Sequence, residues 1–431
     1  VHYFVKNPDI YKDKKAVRAY FKEYVNKNTV FFYTLEEKLN YLIENNYIKE
    51  DFLNKYSKSF IKKVFKKIYN KKHRFSSFMG AYKFYSQYAM RTDDGEKFLE
   101  RYEDRLAFNA LGLAKGDEGL AMDLADELIN QRYQPATPTF LNIGKKRAGE
   151  MVSCFLLTVS DDMNAIGRSI NSALQLSKLG GGVGINMSNV RANNDPSKGV
   201  YGLADGVVPI MKMYEDAFSY ANQGGARDGA GVVYLNVFHP DIIEFLSVRK
   251  ENADEKTRIK TLSLGLVVPD KYYELVKNNE NMYLFSPHDV EKEYGQPFSY
   301  IDITKEYDNM VNNPNIRKSK VNARELEEEI SNLQNESGYP YIINIDTANN
   351  ANPINGKIIM SNLCSEVFQV MKESKINNDQ TFEILGNDIS CNLGSTNISN
   401  LMDSPNFGKS VRVMLRALTN VSDDSSIDVV P

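Results

Sequence analysis

From about residue 150 the chain changes its grammar: short β-branched apolar runs begin to alternate with stretches of helical spacing, which constrains the fold more than any other feature. The runs are VSCFLLTV (152–159), VGINMSNV (183–190), VVYLNVF (232–238), LSLGLVV (262–268), MYLFS (282–286) and YPYIINID (339–346). Between them lie helical stretches from Asp161 to about Leu179, through ADGVVPIMKMYEDAFSYA, and at HPDIIEFLSVRK and DKYYELVKN. Strand–helix–strand order of this kind predicts a mainly parallel sheet with crossover helices. Segment 291–337 is polar and helical and reads as an insertion. Residues 1 to about 130 place apolar side chains at helical spacing, as in YFKEYV, LEEKLNYLI and FIKKVFKKIY. The expected class is therefore α/β, with a helical domain over 1–150 and a second domain over 151–431.

Composition narrows the function classes. Hydrophobic residues at 42% and charged residues at 25% are globular values and exclude wholesale disorder. A net charge of −3 argues against a general binder of nucleic acid or membrane surfaces. The cluster Lys62, Lys63, Lys66, Lys67, Lys71, Lys72 and Arg74 then reads as a solvated helix face. No apolar run approaches bilayer length, and VHYFVKNPDIYKDKK has no signal-peptide pattern. The chain starts with Val and ends in SSIDVVP just after an apparent helix, so a piece of something longer is expected. Three cysteines, Cys154, Cys364 and Cys391, are too few and odd in number for a secreted framework, and place the chain in a reducing cytoplasm. His2, His73, His239 and His288 show no metal-ligand spacing, so no bound metal is expected.

The densest chemistry lies in Ser361-Asn362-Leu363-Cys364-Ser365-Glu366. In an extended backbone, residues two apart point the same way, so Asn362, Cys364 and Glu366 would project together. A carboxylate beside a thiol discourages the thiolate, which weakens a nucleophilic-cysteine reading and suits loss of a hydrogen atom from sulfur. A buried apolar cysteine with two polar neighbours is the plainer alternative. Gly180-Gly181-Gly182-Val183-Gly184 lacks the phosphate-loop lysine and leads from a helix into a strand, the reverse of a dinucleotide fingerprint. By itself it reads as a helix C-cap and tight turn; the other reading is close approach of backbone to a ligand. The loop from Gln223 to Gly231 sets four glycines around Arg227. It reads equally as a shape-changing phosphate or base contact and as an ordinary loop. Thr137-Pro138-Thr139 could hold a polar ligand or make turn hydrogen bonds.

PATPTFLN, SCFL, LGGGVGIN, QGGARDGAG, TANNANPINGKIIMSNLCSE and SCNLGS, in that order, resemble the catalytic large subunit of class I ribonucleotide reductase, its class Ib branch most closely. The resemblance is clear from about Phe75 onward. It implies a ten-stranded α/β barrel of two five-stranded parallel halves placed antiparallel, with a central finger loop. Here the chain would hold the helical domain, the first half-barrel, the finger loop and the strand after it. The resemblance also implies roles. Cys364 becomes a thiyl by radical transfer from a partner and abstracts the 3′ hydrogen of a ribonucleoside diphosphate. Glu366 takes the 3′-hydroxyl proton, and Asn362 hydrogen-bonds the ribose hydroxyls. Cys154 and Cys391 supply reducing equivalents and become a disulfide, which requires neighbouring strands to bring them within reach. Thr137, Ser153 and Gly182 match substrate-contacting positions. Asp161 and Arg191 match a nucleotide effector site at a dimer interface, and Arg227 relays the effector's choice to the substrate. The implied partners are a second copy of the chain, a dimetal (Mn or Fe) small β subunit as radical source, a dNTP or ATP effector, and a thioredoxin- or glutaredoxin-like dithiol. An N-terminal ATP-cone, with its V-x-K-R-x-G start, is not found. The relay tyrosines, the main phosphate loop and a C-terminal cysteine pair would lie beyond residue 431.

Two other functions fit parts of the pattern. One is a truncated, non-catalytic module that binds nucleotide at Asp161 and Arg191 and dimerises. The other is a cysteine-nucleophile acyl-transfer enzyme, which needs His239 or His288 beside Cys364.

Overall fold

The structure is a computed structural model that describes residues 13–197, 199–221 and 229–425. These fall into two compact units, 13–153 together with 392–425, and 154–391.

The first unit is helical. Its helix Lys58–Asn70 is capped by Ser57, which accepts the Phe60 N–H at 3.1 Å. It buries Phe60, Ile61, Val64, Phe65 and Ile68 and leaves Lys62, Lys63 and Lys66 exposed, so the basic cluster is a solvated face over this stretch. Helices Tyr102–Ala114 and Glu118–Ile129 pack on it and on one another. Helix Phe407–Asp424, nearly three hundred residues further on, packs against both of these. Strand Tyr133–Pro135 pairs antiparallel with Gly394–Thr396, so residues after 391 rejoin the helical unit.

The second unit is built on a six-stranded sheet. Its strands are β1 (Cys154–Thr158), β2 (Gly182–Asn186), β3 (Gly231–Asn236), β4 (Ser263–Val268), β5 (Tyr341–Asn344) and β6 (Ile389–Cys391). The spatial order is β6-β1-β2-β3-β4-β5. Neighbours from β1 to β5 pair in parallel, and β6 pairs antiparallel with β1. Every residue of β2, β3 and β4 is buried, the pattern of parallel strands covered on both faces. Helices α1 (Met163–Leu179), α2 (Val208–Tyr220) and α3 (Ile242–Ser247) make the first three crossovers. Asp162 caps α1 by accepting the Ala165 N–H, and Gly180 ends it at φ 112°, a conformation that only glycine adopts cheaply. Five parallel strands followed by one reversed strand match the expected half-barrel and the strand after its finger loop.

One sequence expectation is corrected here. MYLFS does not join the main sheet. Asn281–Phe285 pairs antiparallel with Lys318–Asn322 in a separate hairpin, so the insertion is larger than 291–337. Its burial explains why: Met282 and Leu284 are buried while Asn281 is exposed and Tyr283 half-buried. That is a one-faced strand, not a run covered on both faces.

The finger loop packs on one sheet face through its own apolar stem. Ile358, Ile359 and Met360 are at most 2% exposed and share a core with Leu156, Val232, Tyr234, Val267 and Ile343. Burying each such side chain contributes on the order of 1.5–3 kcal/mol. Asn349 fixes the stem: its Oδ1 accepts the Ile358 N–H and its Nδ2 donates to the Ile358 carbonyl, both at 2.9 Å.

Candidate active site

Register decides which side chains meet. Cys391 lies directly opposite Cys154, and Cys154 opposite Gly182. Two residues along, Ile389, Leu156, Gly184, Val232 and Ser263 align; two further, Asn186, Tyr234, Gly265 and Tyr341 align. Side chains two apart share a face, so these rows form one surface, the one carrying the finger loop. Glycines bring the finger close. A Cβ on Gly184 would stand 2.8 Å from the Ser361 carbonyl oxygen, and one on Gly182 would stand 2.7 Å from Leu363 Cδ2. The glycine run is thus a C-cap at Gly180 and a close-approach floor at Gly182 and Gly184. Gly182, expected at the substrate, lies beneath the fingertip.

The fingertip is not extended, contrary to the sequence expectation. The Ser365 N–H donates to the Asn362 carbonyl at 3.1 Å and closes a turn around Leu363 and Cys364. Ser365 sits at φ 62° in the left-handed region. Asn362 and Glu366 converge because the chain turns back: Asn362 Nδ2 donates to Glu366 Oε1 at 2.8 Å. The same Nδ2 donates to Cys154 Sγ at 3.3 Å. Asn362 Oδ1 accepts the N–H groups of Glu366 and Val367, both at 3.0 Å, so its amide orientation is fixed from both ends. Asn362 is fully buried, while Cys364 and Glu366 are exposed. The buried apolar cysteine reading of Cys364 therefore fails: its place at the tip of a turn keeps it out of the core.

None of the three cysteines is in a disulfide. Directly opposed residues of an antiparallel pair have Cα atoms roughly 4.5–5.5 Å apart, inside the range a disulfide needs. The hydrogen bond with Cys154, then burial, pushes the Cys391 thiol well above its usual range, with Glu366 and Cys364 adding to the shift. Such a thiol keeps its proton at neutral pH, which suits delivery of a proton with electrons better than nucleophilic attack. The acyl-transfer alternative loses its base. His239 is fully buried, its Nε2–H donating to the Val190 carbonyl and its Nδ1 accepting the Asp241 N–H. Burial also lowers its pKa.

The profile of the family described as "Ribonucleotide reductase, barrel domain" matches residues 152–430. That is well over half of the chain, and it covers all of this site. The chain belongs to the ribonucleotide reductase family. The profiles "Ribonucleotide reductase N-terminal" and "Ribonucleotide reductase, all-alpha domain" match residues 4–73 and 74–148. Among curated relatives, "Ribonucleoside-diphosphate reductase subunit alpha" of Bacillus subtilis (strain 168) is 50% identical over 422 residues, 97% of this chain and 60% of the relative. The protein of the same name from Mycoplasma pneumoniae is 47% identical over 424 residues, 98% of this chain and 59% of the relative. That of Chlamydia muridarum is 32% identical over 361 residues. The chain thus spans about 60% of the length of the Bacillus relative.

The other residues singled out on family grounds lie as follows. Asp161 and Arg191 meet: the Arg191 N–H and Nε donate to the two Asp161 carboxylate oxygens at 3.0 and 2.8 Å. Arg191 Nη1 also donates to the Pro196 carbonyl at 2.7 Å. Burial raises the Asp161 pKa and the Arg191 contacts offset part of the rise. The alternative helix-cap role falls to Asp162 instead. Thr137 opens the helix Thr137–Asn142, its hydroxyl 2.8 Å from that of Tyr88, and Thr139 donates to the Met151 carbonyl. Ser153, the residue before β1, is buried, and its hydroxyl has no hydrogen-bond partner among the described residues. Arg227 lies outside the described residues.

Two residues that shape this candidate site carry no motif in the sequence. Tyr234 reads as part of the apolar run VVYLNVF, and the one signal it offers is that a buried tyrosine hydroxyl demands a partner. Asp388 secures the register that opposes the two cysteines: its Oδ1 accepts the Thr158 N–H at 3.1 Å, next to the β6–β1 pairing. Burial pushes its carboxyl up to about 7. The folded state therefore holds this proton while the unfolded chain has released it, from the ordinary carboxylate range near 4 up to about 7. Its stabilisation is greatest at low pH and is lost as pH rises through that window. Asp388→Asn keeps an acceptor for Thr158 and removes the titration. Thermal melts should show the variant gaining Tm relative to the parent as pH goes from 5 to 8. Parallel curves across that range would refute this account of Asp388.

Proposed function

We propose that this chain carries the catalytic core of a ribonucleoside-diphosphate reductase large subunit of the class Ib type, making 2′-deoxyribonucleoside diphosphates as DNA precursors. The single observation that carries the reading is the Asn362 side chain, which hydrogen-bonds both Glu366 and Cys154 while Cys391 faces Cys154. One amide thus joins an acid–base group to a thiol pair, beneath an exposed cysteine.

In this reading Cys364, as a thiyl, takes the 3′ hydrogen atom and leaves a carbon radical on the sugar. Glu366 accepts the 3′-hydroxyl proton within hydrogen-bond reach of the ribose. The 2′-hydroxyl leaves as water with one proton from the thiol pair, the pair's second hydrogen goes to C2′ with the two electrons released as the sulfurs of Cys154 and Cys391 join, and Glu366 returns its proton to the 3′ oxygen. Cys364 then returns its hydrogen atom to C3′. The balance is one ribonucleotide and two thiols to one deoxyribonucleotide, one disulfide and one water.

Thr137, Ser153 and Gly182 remain our proposed substrate contacts, and Arg227 the relay of effector identity. The Asp161–Arg191 pair supports an effector site, since a carboxylate suits a ribose hydroxyl and a guanidinium suits a phosphate. The radical source is a dimetal (Mn or Fe) β subunit, the effector a dNTP or ATP, and the reductant a thioredoxin- or glutaredoxin-like dithiol. The working form is a cytoplasmic homodimer; no described helix is long and apolar enough to cross a membrane. We place the domain boundary at about residue 150, near the profile limits at 148 and 152.

The test is an assay of the full-length polypeptide with the β subunit of the same cell, a ribonucleoside diphosphate, an effector and a dithiol. Deoxynucleoside diphosphate should form only with all of them present. Effector binding without any reduction would replace this reading with the nucleotide-binding, dimerising module.

A further inference from the structure

We propose that Tyr234 is the positioning residue that sets the height and orientation of the Cys364 fingertip. The inference rests on the reductase reading and adds a residue to it. Tyr234 stands on β3, and its side chain is fully buried on the sheet face beneath the finger. Its Oη–H donates to the Asn362 carbonyl at 2.7 Å. That carbonyl also accepts the Ser365 N–H that closes the turn. Tyr234 Oη lies 2.8 Å from Ser365 Oγ, whose hydroxyl completes the pair by donating back. The phenol therefore grips the turn on both sides of Cys364, at residues 362 and 365. Hydrogen bonds on both sides also secure the left-handed Ser365, a conformation that a non-glycine residue holds only when its surroundings over-determine it.

The ring cannot drift. A Cβ on Gly265, its neighbour on β4, would stand 2.3 Å from the Tyr234 ring, so this glycine leaves a slot that the ring fills. A rigid strand thus carries a fixed hydroxyl to the backbone of a mobile type of structure, a turn. This arrangement places a reacting atom reproducibly over the Asn362–Glu366–Cys154 constellation.

Tyr234→Phe keeps the ring in its slot and removes only the hydroxyl. In the full-length protein with its β subunit, kcat should fall roughly 10- to 100-fold, the scale of a misplacement of about 1 Å, with substrate KM little changed. The rate of Cys364 alkylation by iodoacetamide, relative to Cys154 and Cys391, should change in the same variant without any turnover. Ser365→Ala, which removes one of the two grips, should shift both readouts in the same direction by less, and serves if Tyr234→Phe folds poorly. Parental kcat together with a parental Cys364 alkylation rate in either folded variant would overturn the proposal. The alkylation arm stands even if no nucleotide is reduced, so failure of the reductase reading and failure of this inference are told apart.

Discussion

Cys364→Ser is expected to reduce deoxynucleotide formation to background, a loss of roughly 10⁵-fold or more, equivalent to about 7 kcal/mol of added barrier. A serine hydroxyl fits the turn but does not give up a hydrogen atom to a radical partner as a thiol does. Cys364 is exposed at the fingertip, so the substitution removes no core packing and its cost to folding should stay within about 0.5 kcal/mol. Effector binding at the proposed site, Asp161 and Arg191, should be unchanged, since the hydrogen bonds of that pair run to one another and to Pro196. Assay of product, melting temperature and effector affinity on the same preparation separates the three effects. Turnover above background would remove Cys364 from the radical role.

Cys391→Ser is expected to lower steady-state turnover by roughly 10³-fold or more, because removing one member of a group that acts as a unit costs nearly as much as removing all of it. Serine at 391 can still hydrogen-bond Cys154 across the β6–β1 pair, so the sheet edge should hold. It cannot give Cys154 a partner sulfur, so on the proposed mechanism the two electrons for water loss have no place to come from. Peptide mapping should find Cys154 free of any intrachain disulfide. Normal turnover with a dithiol reductant would contradict the assignment.

The parallel strands were legible from their apolar runs, whereas the pairing of Cys154 with Cys391 came from the family resemblance. VSCFLLTV reads as a strand and the resemblance places another strand after the finger loop; the two pair antiparallel and set cysteines 154 and 391 opposite each other. The asparagine, cysteine and glutamate of SNLCSE were found as a group, but for the wrong geometric reason. The turn depends on a serine with positive φ, a position where sequence rules look for glycine or asparagine. Tyr234 was hidden because a tyrosine in an apolar run looks like core until its hydroxyl partner is known. The hairpin strand Asn281–Phe285 was indistinguishable from a sheet strand, since pairing partners are set by long-range packing. The return of Phe407–Asp424 to the helical unit has no local signal either: an amphipathic helix shows that it has a buried face, not what covers it.

The central claim is that three cysteines divide into one radical site and one redox pair. The most direct test quenches the full-length reduced protein in acid within its first turnover and alkylates the remaining thiols. Our account predicts that Cys154 and Cys391 are lost together as a disulfide, in step with product and only when substrate is present, while Cys364 remains a free thiol. Product formed while Cys154 and Cys391 both stay open to alkylation, or a disulfide that includes Cys364, would contradict it.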